Sequence, residues 1–185
     1  MKPWSGMALP FFTEPTNLAM LTQAQENLMN FGDSIGETFF NYANFSDRAA
    51  RAEYWWWVLF ATVAVLLATA LDYFVFYGWS VTPFTLVIGL AAMLPSLSAA
   101  VRRLHDTNRS GWWVFLPIGA MALVIAGAVV AAIDNPRNPL EGIGLFYVGV
   151  PLLLVIATGI LLIVLLLMPG DEGNNRYGPN RYAGA

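Results

Sequence analysis

Cysteine is absent from this chain, which excludes disulfides, thiolate nucleophiles and cysteine-bound zinc or iron–sulfur sites. Charge is nearly as scarce: 11% of the 185 residues are Asp, Glu, Lys or Arg, against roughly 25% in a soluble globular domain. The only lysine is Lys2 and the formal net charge is −3, so no basic surface exists to track a phosphate backbone, and nucleic acid is excluded as a partner. A single histidine, His105, rules out bis-histidine haem within one chain and leaves any metal dependent on carboxylates from distant segments. No metal or cofactor is therefore expected. Phosphate-cradling loops, the dinucleotide glycine fingerprint and the nucleophile elbow are missing too. The oxygen-rich stretch Asp171 to Asn175 fails as a calcium loop, because Arg176 stands where the turn needs glycine and Tyr182 where it needs glutamate. Residues Met1 to Glu14 lack the apolar core of a cleavable signal peptide, so the first true span is expected to act as its own insertion signal.

What the chain does contain is apolar side chains, 57% of the total, bunched into long uncharged runs rather than spread at a helical or strand period. Four such runs are long enough to cross a bilayer, whose core takes about 20 helical residues. They predict spans over about residues 54–77, 81–101, 111–133 and 143–168. Trp55, Trp56 and Trp57 at one end of the first, and Tyr73, Tyr77 and Trp79 at the other, read as interface anchors. Ser46 and Asp47 look like the capped start of its helix, with Asp47 and Arg51 one turn apart. Asp72 follows the uncharged part, and solvation at the interface is its favoured reading over a functional charge at depth. Pro95 interrupts the second span and frees the carbonyl of Ala91, which needs a donor from Ser96, Ser98 or a neighbouring helix. In the third, Gly119, Ala122, Ala126 and Gly127 suit close helix packing. Pro169-Gly170 stops the fourth.

The expected fold is thus all-α: an integral membrane bundle of four transmembrane helices preceded by an amphipathic helix. Residues 1–45 form an N-terminal extension, 46–168 the membrane domain and 169–185 a polar tail. Leu18, Leu21, Leu28 and Met29 place the amphipathic helix at about Thr16 to Phe31, with Gly32 set to end it. Its neighbouring charges, Glu26, Asp33 and Glu37, are acidic, which favours docking on protein over binding anionic lipid. No internal repeat of the kind many secondary transporters carry is visible.

Arginine counts set the orientation. Arg48 and Arg51 precede span one, Arg102, Arg103 and Arg109 separate spans two and three, and Arg176 and Arg181 follow span four, while the opposite loops hold only Arg137. Both termini are expected in the cytoplasm. Topology then gathers three polar segments on one face: Asp47 to Tyr54, Arg102 to Trp113, and Gly173 to Pro179. Candidate site residues are Arg48, Arg51, Glu53, Arg102, Arg103, His105, Asp106, Arg109, Asn175 and Tyr177. Guanidinium groups form two-pronged bonds with carboxylates or phosphates, so Glu53 and Asp106 are natural partners for Arg48, Arg102 or Arg103. A structural ion-pair network is the leading reading, ahead of a site for a lipid headgroup or another anion. Catalysis comes last: no nucleophile is spaced to use His105, which next to Asp106 would point about 100° away from it on a helix.

These three segments carry a resemblance. Phe45 to Trp55, Arg102-Arg103-Leu104-His105-Asp106 through Trp113, and Gly173 to Gly178 are similar, in order and in relation to the spans, to motifs of the bacterial membrane family called domain of unknown function 805. Asp47 stands where the family pattern has glycine, and the extension before about Thr38 lies outside the match. The resemblance implies a four-helix protein of the bacterial inner membrane and brings no activity with it. The functional expectation is a non-enzymatic accessory or scaffolding subunit of a membrane complex. It would be surrounded by membrane lipids and engage a membrane-protein partner or a second copy of itself. The alternative is a small transporter, or a lipid- or anion-binding protein using the arginine cluster.

Overall fold

The computed structural model describes residues 30–77, 82–139, 141–171 and 173–179. They form α1 (Phe31–Phe40), α2 (Arg51–Val75), α3 (Pro83–Asp106), a 3-10 turn at Gly111–Val114, α4 (Phe115–Asp134) and α5 (Gly144–Leu167). With the 3-10 turn leading into α4, four helical stretches are long and apolar enough to cross a membrane, and apart from these and α1 the described residues are turns, irregular backbone and one isolated bridge. The spans fall where the uncharged runs lie. One shift matters: α3 continues past Val101 to Asp106, so Arg102, Arg103, His105 and Asp106 ride on a helix rather than in a loop.

The helices pair as two hairpins, α2 with α3 and α4 with α5. Asp72 closes the first. It is 3% exposed, and its carboxylate accepts the N–H groups of Phe84 (2.9 Å) and Thr85 (2.7 Å) at the start of α3. Interfacial solvation is therefore the wrong reading of Asp72. The first N–H groups of a helix lack partners in their own chain turn and sit at the positive end of its dipole. A carboxylate from the preceding span supplies both what they lack, where lipid offers nothing. The second hairpin closes through glycine. Gly127 packs so tightly on the Tyr147 carbonyl that a Cβ there would overlap it, and that carbonyl is the one Pro151, inside α5, deprives of its helical donor. The packing stripe of α4 runs through Ala120, Gly127 and Ala131; Gly119, Ala122 and Ala126, expected at that interface, are exposed.

The hairpins join at the end that carries the arginines. Ala100, Val101 and Leu104 of α3 meet Val114 and Leu165 and Leu166 of α5, flanked by Tyr54, Leu97, Trp113 and Leu162. Gly111 lets the 3-10 turn approach Val101, where an added Cβ would lie 2.6 Å from a methyl group.

The helix expected at Thr16 to Phe31 lies, but for its last two positions, outside the described residues. Gly32 does not end a helix; it sits in the first turn of α1. Asn30 starts α1 by accepting the Asp33 N–H at 2.9 Å, and Asp33 complements the dipole. Aromatic edges then seat α1 on α2, Phe31 against Trp56 and Phe39 against both Trp57 and Phe60. The loop after α1 reaches along α3 as far as Ala91, about three turns in from Arg102. There the Tyr42 hydroxyl donates to the Ala91 carbonyl at 3.0 Å, filling the vacancy made by Pro95. Ser98 donates to the carbonyls of Asn41 and Asn44, at 2.8 and 3.1 Å, and Ser96 accepts the Trp57 indole N–H. Polar backbone beside the spans is thus satisfied by side chains.

Candidate functional site

Residues 44–50, which the sequence assigns to a helix start, are not helical. Asn44 bridges to Asp47 at 2.7 Å, the Ala49 N–H donates to the Arg102 carbonyl at 3.1 Å, and α2 begins at Arg51 without a side-chain cap. Ser46 and Asp47 precede the helix because Arg48 is drawn inward. Its Nε lies 2.9 Å and its Nη2 2.8 Å from Asp106 Oδ1. The same guanidinium donates to the carbonyls of Asp171 and Gly173, the latter at 2.7 Å. Arg103 takes the other oxygen of Asp106 and donates to the carbonyls of Leu166 (3.1 Å) and Met168. These carbonyls end α5, so Arg103 caps that helix in the manner of a cation on its negative pole. Arg102 pairs separately with Glu53 in the first turn of α2.

The arrangement is a clasp. One carboxylate, Asp106, holds two arginines from different segments, and those arginines in turn hold the C-terminus of α5 and the tail. The Asp171 N–H closes the ring on the Asp106 carbonyl at 2.9 Å. Gly170 passes so close to the Asp106 carboxylate that a Cβ would collide with it. Burial is extreme for charged groups: relative exposures are 3% for Arg48, 1% for Arg102, 0% for Arg103, 0% for Glu53 and 6% for Asp106. Isolated buried charge is prohibitively costly, and only pairing with further hydrogen bonds makes it tolerable. Three buried guanidiniums face two buried carboxylates here. The remaining positive charge is met by backbone carbonyls at the ends of α3 and α5, where the dipoles are negative.

His105 lies in the last turn of α3, with Nδ1 3.3 Å from the Asp47 carbonyl. Its ring stacks on Tyr177 with centroids 3.7 Å apart. It faces away from the Asp106 pair, as neighbours on a helix must. Asn175 donates to the His105 carbonyl at 2.9 Å and shapes the Asn175–Gly178 turn, where Gly178 has φ of 125°. Arg176 covers Tyr177 and donates to the Asn108 carbonyl. The clasp, the separate Glu53–Arg102 pair and the tail turn therefore bring together Arg48, Glu53, Arg102, Arg103, His105, Asp106, Asn175 and Tyr177. Arg51 and Arg109 stand outside it, exposed. Sequence reasoning missed Gly170, whose place after Pro169 reads as a helix stop but whose lack of a side chain admits the carboxylate. It also missed Tyr42, Asn41 and Asn44, whose partners lie far along the chain.

Fold and site together define an integral membrane protein of four helical spans whose polar ends are locked by buried arginine–carboxylate pairs. The chain belongs to the family described as Protein of unknown function (DUF805), whose model matches residues 42–179. It is similar to inner membrane protein YhaI of Escherichia coli strain K12, 37% identical over 89 residues, 46% of this chain and 74% of that protein. Inner membrane protein YhaH of the same strain is 36% identical over 80 residues, 41% of this chain and 64% of that protein. Protein YiiR, again of that strain, is 31% identical over 141 residues, covering 73% of this chain and 84% of that protein. No solved structure matches the chain.

Proposed function

We propose that the protein is a non-enzymatic accessory or scaffolding subunit of the bacterial inner membrane, with both termini in the cytoplasm. The observation that carries this reading is the internal use of the clasp: both oxygens of Asp106 are taken by arginines of the same chain, and the His105 ring is stacked against Tyr177. A general acid or base needs a proton position open to substrate, and an anion site needs a guanidinium edge not already committed. Arg48 and Arg103 are committed to internal acceptors, and the uncommitted Nε and Nη2 of Arg102 are buried. A group built this way holds two hairpins in register and leaves their flanks to meet other membrane components.

Two measurements test it. Extracted in a mild detergent and weighed intact, the protein is expected to carry a second copy or another membrane protein; a lone monomer under every gentle condition rejects the scaffold. Orientation is read by single cysteines, which need no background removal because the chain has none. Asn138→Cys should react with an impermeant maleimide in intact spheroplasts, and Asn174→Cys only after permeabilisation. The reverse pattern overturns the orientation.

A further inference from the structure

Below the core that joins the hairpins, α2 and α3 part to leave a lateral groove of about 450 Å³. Ala61, Thr62 and Leu66 line one side and Gly89, Ala92 and Met93 the other. The groove is apolar and lies within two helices that cross the bilayer, so its surroundings are acyl chains. Small residues make it: a Cβ added at Gly89 would meet nothing within 4 Å.

What stands above the groove identifies its occupant. Arg51, the first residue of α2, lies on the same stripe as Thr62, three turns or roughly 16 Å nearer the arginine-bearing end. That separation approximates the half-thickness of a hydrocarbon core of about 30 Å. Unlike Arg48, Arg102 and Arg103, Arg51 is exposed and makes no hydrogen bond or ion pair among the described residues. One turn along that stripe stands the half-buried Trp55.

We propose that this stripe is a binding site for one anionic glycerophospholipid. Its phosphate pairs with Arg51, its glycerol-ester region packs against the Trp55 ring, and one acyl chain lies in the groove between α2 and α3. Arginine suits the phosphate by its two-pronged donor geometry, tryptophan suits the ester layer of a membrane, and the groove removes a chain from contact with other lipid. The site is separate from the clasp and does not depend on the protein having a partner.

The test is intact-mass measurement of the detergent-purified protein titrated with phosphatidylglycerol or with phosphatidylcholine of the same chains. The wild type is expected to retain one phosphatidylglycerol in preference to phosphatidylcholine. Arg51→Gln should weaken that retention about fivefold, the effect of one interfacial arginine on an anionic headgroup, while Arg109→Gln leaves it unchanged. Gly89→Leu projects a side chain into the open groove and should displace both lipids without lowering the thermal unfolding midpoint, since leucine is the better helix former. Equal retention of the two lipids by the wild type overturns the proposal. So does phosphatidylglycerol retention unaltered in Arg51→Gln or in Gly89→Leu, or a second copy of the chain occupying the groove in place of lipid.

Discussion

Asp106→Ala is expected to cost about 3–5 kcal/mol, the range for breaking a buried ion pair by removing one partner. The variant leaves Arg48 and Arg103 buried together with no carboxylate between them. Two like charges then face each other across the space vacated, with backbone carbonyls at the C-terminal ends of α3 and α5 and in the tail left to offset them. The expected result is a thermal unfolding midpoint well below that of the wild type in the same detergent. Early protease cleavage in the 169–179 segment should accompany it, because Arg48 no longer ties Asp171 and Gly173 to α3. Arg137→Ala, at an exposed position in the opposite loop, should stay within about 0.5 kcal/mol of wild type, as surface substitutions do. An Asp106→Ala midpoint equal to that of Arg137→Ala would mean that the clasp contributes no stability.

Much of this arrangement is legible in the sequence, and the reasons differ by element. The spans were legible because hydrocarbon tolerates no uncommitted charge over the width of a bilayer, so their positions are written as long uncharged runs. The convergence of Arg48, Arg102 and the tail followed from counting crossings. The vacancy at the Ala91 carbonyl followed from Pro95 alone, since the missing N–H is a covalent fact. Its donor did not: Tyr42 lies 49 residues away in sequence, and nothing local marks it. Asp72 was misread for the same reason. Its partners are the first N–H groups of the next helix, a geometry created by the hairpin rather than by the residues beside it. The start of α2 was displaced because local capping by Ser46 and Asp47 competes with burial of Arg48 against Asp106, and the tertiary contact prevails. The Gly32 reading failed in like manner, with the Asn30 cap outweighing the helix-ending tendency of one glycine.

Glu53 and Arg102 allow a sharper test, because the pair can be removed whole. Both are almost fully buried, Glu53 at 0% and Arg102 at 1% exposure. Only Nη1 of Arg102 reaches Glu53, and its Nε and Nη2 have no hydrogen-bond partner. An incompletely satisfied guanidinium is a poor use of buried space: its desolvation is opposed by a single contact, where Arg48 and Arg103 each have several. Glu53→Leu leaves that guanidinium without a counter-charge and should lower stability by about 3–5 kcal/mol. Arg102→Met should be destabilising as well, because Glu53 loses the guanidinium that offsets its burial. The double variant Glu53→Leu with Arg102→Met fills the same volume with apolar groups, and the expected outcome is near wild-type stability or better by about 1–4 kcal/mol. The same substitution logic cannot rescue Asp106, because removing Arg48 and Arg103 also strips the carbonyls of Leu166, Met168 and Gly173 of their donors. A double-variant cycle on thermal midpoints separates the two pairs: strong coupling with recovery at Glu53–Arg102, and no recovery at the clasp. Additive losses in the Glu53–Arg102 double variant would show instead that each side chain is held by contacts other than its partner, and the distinction between a replaceable pair and an irreplaceable clasp would fall.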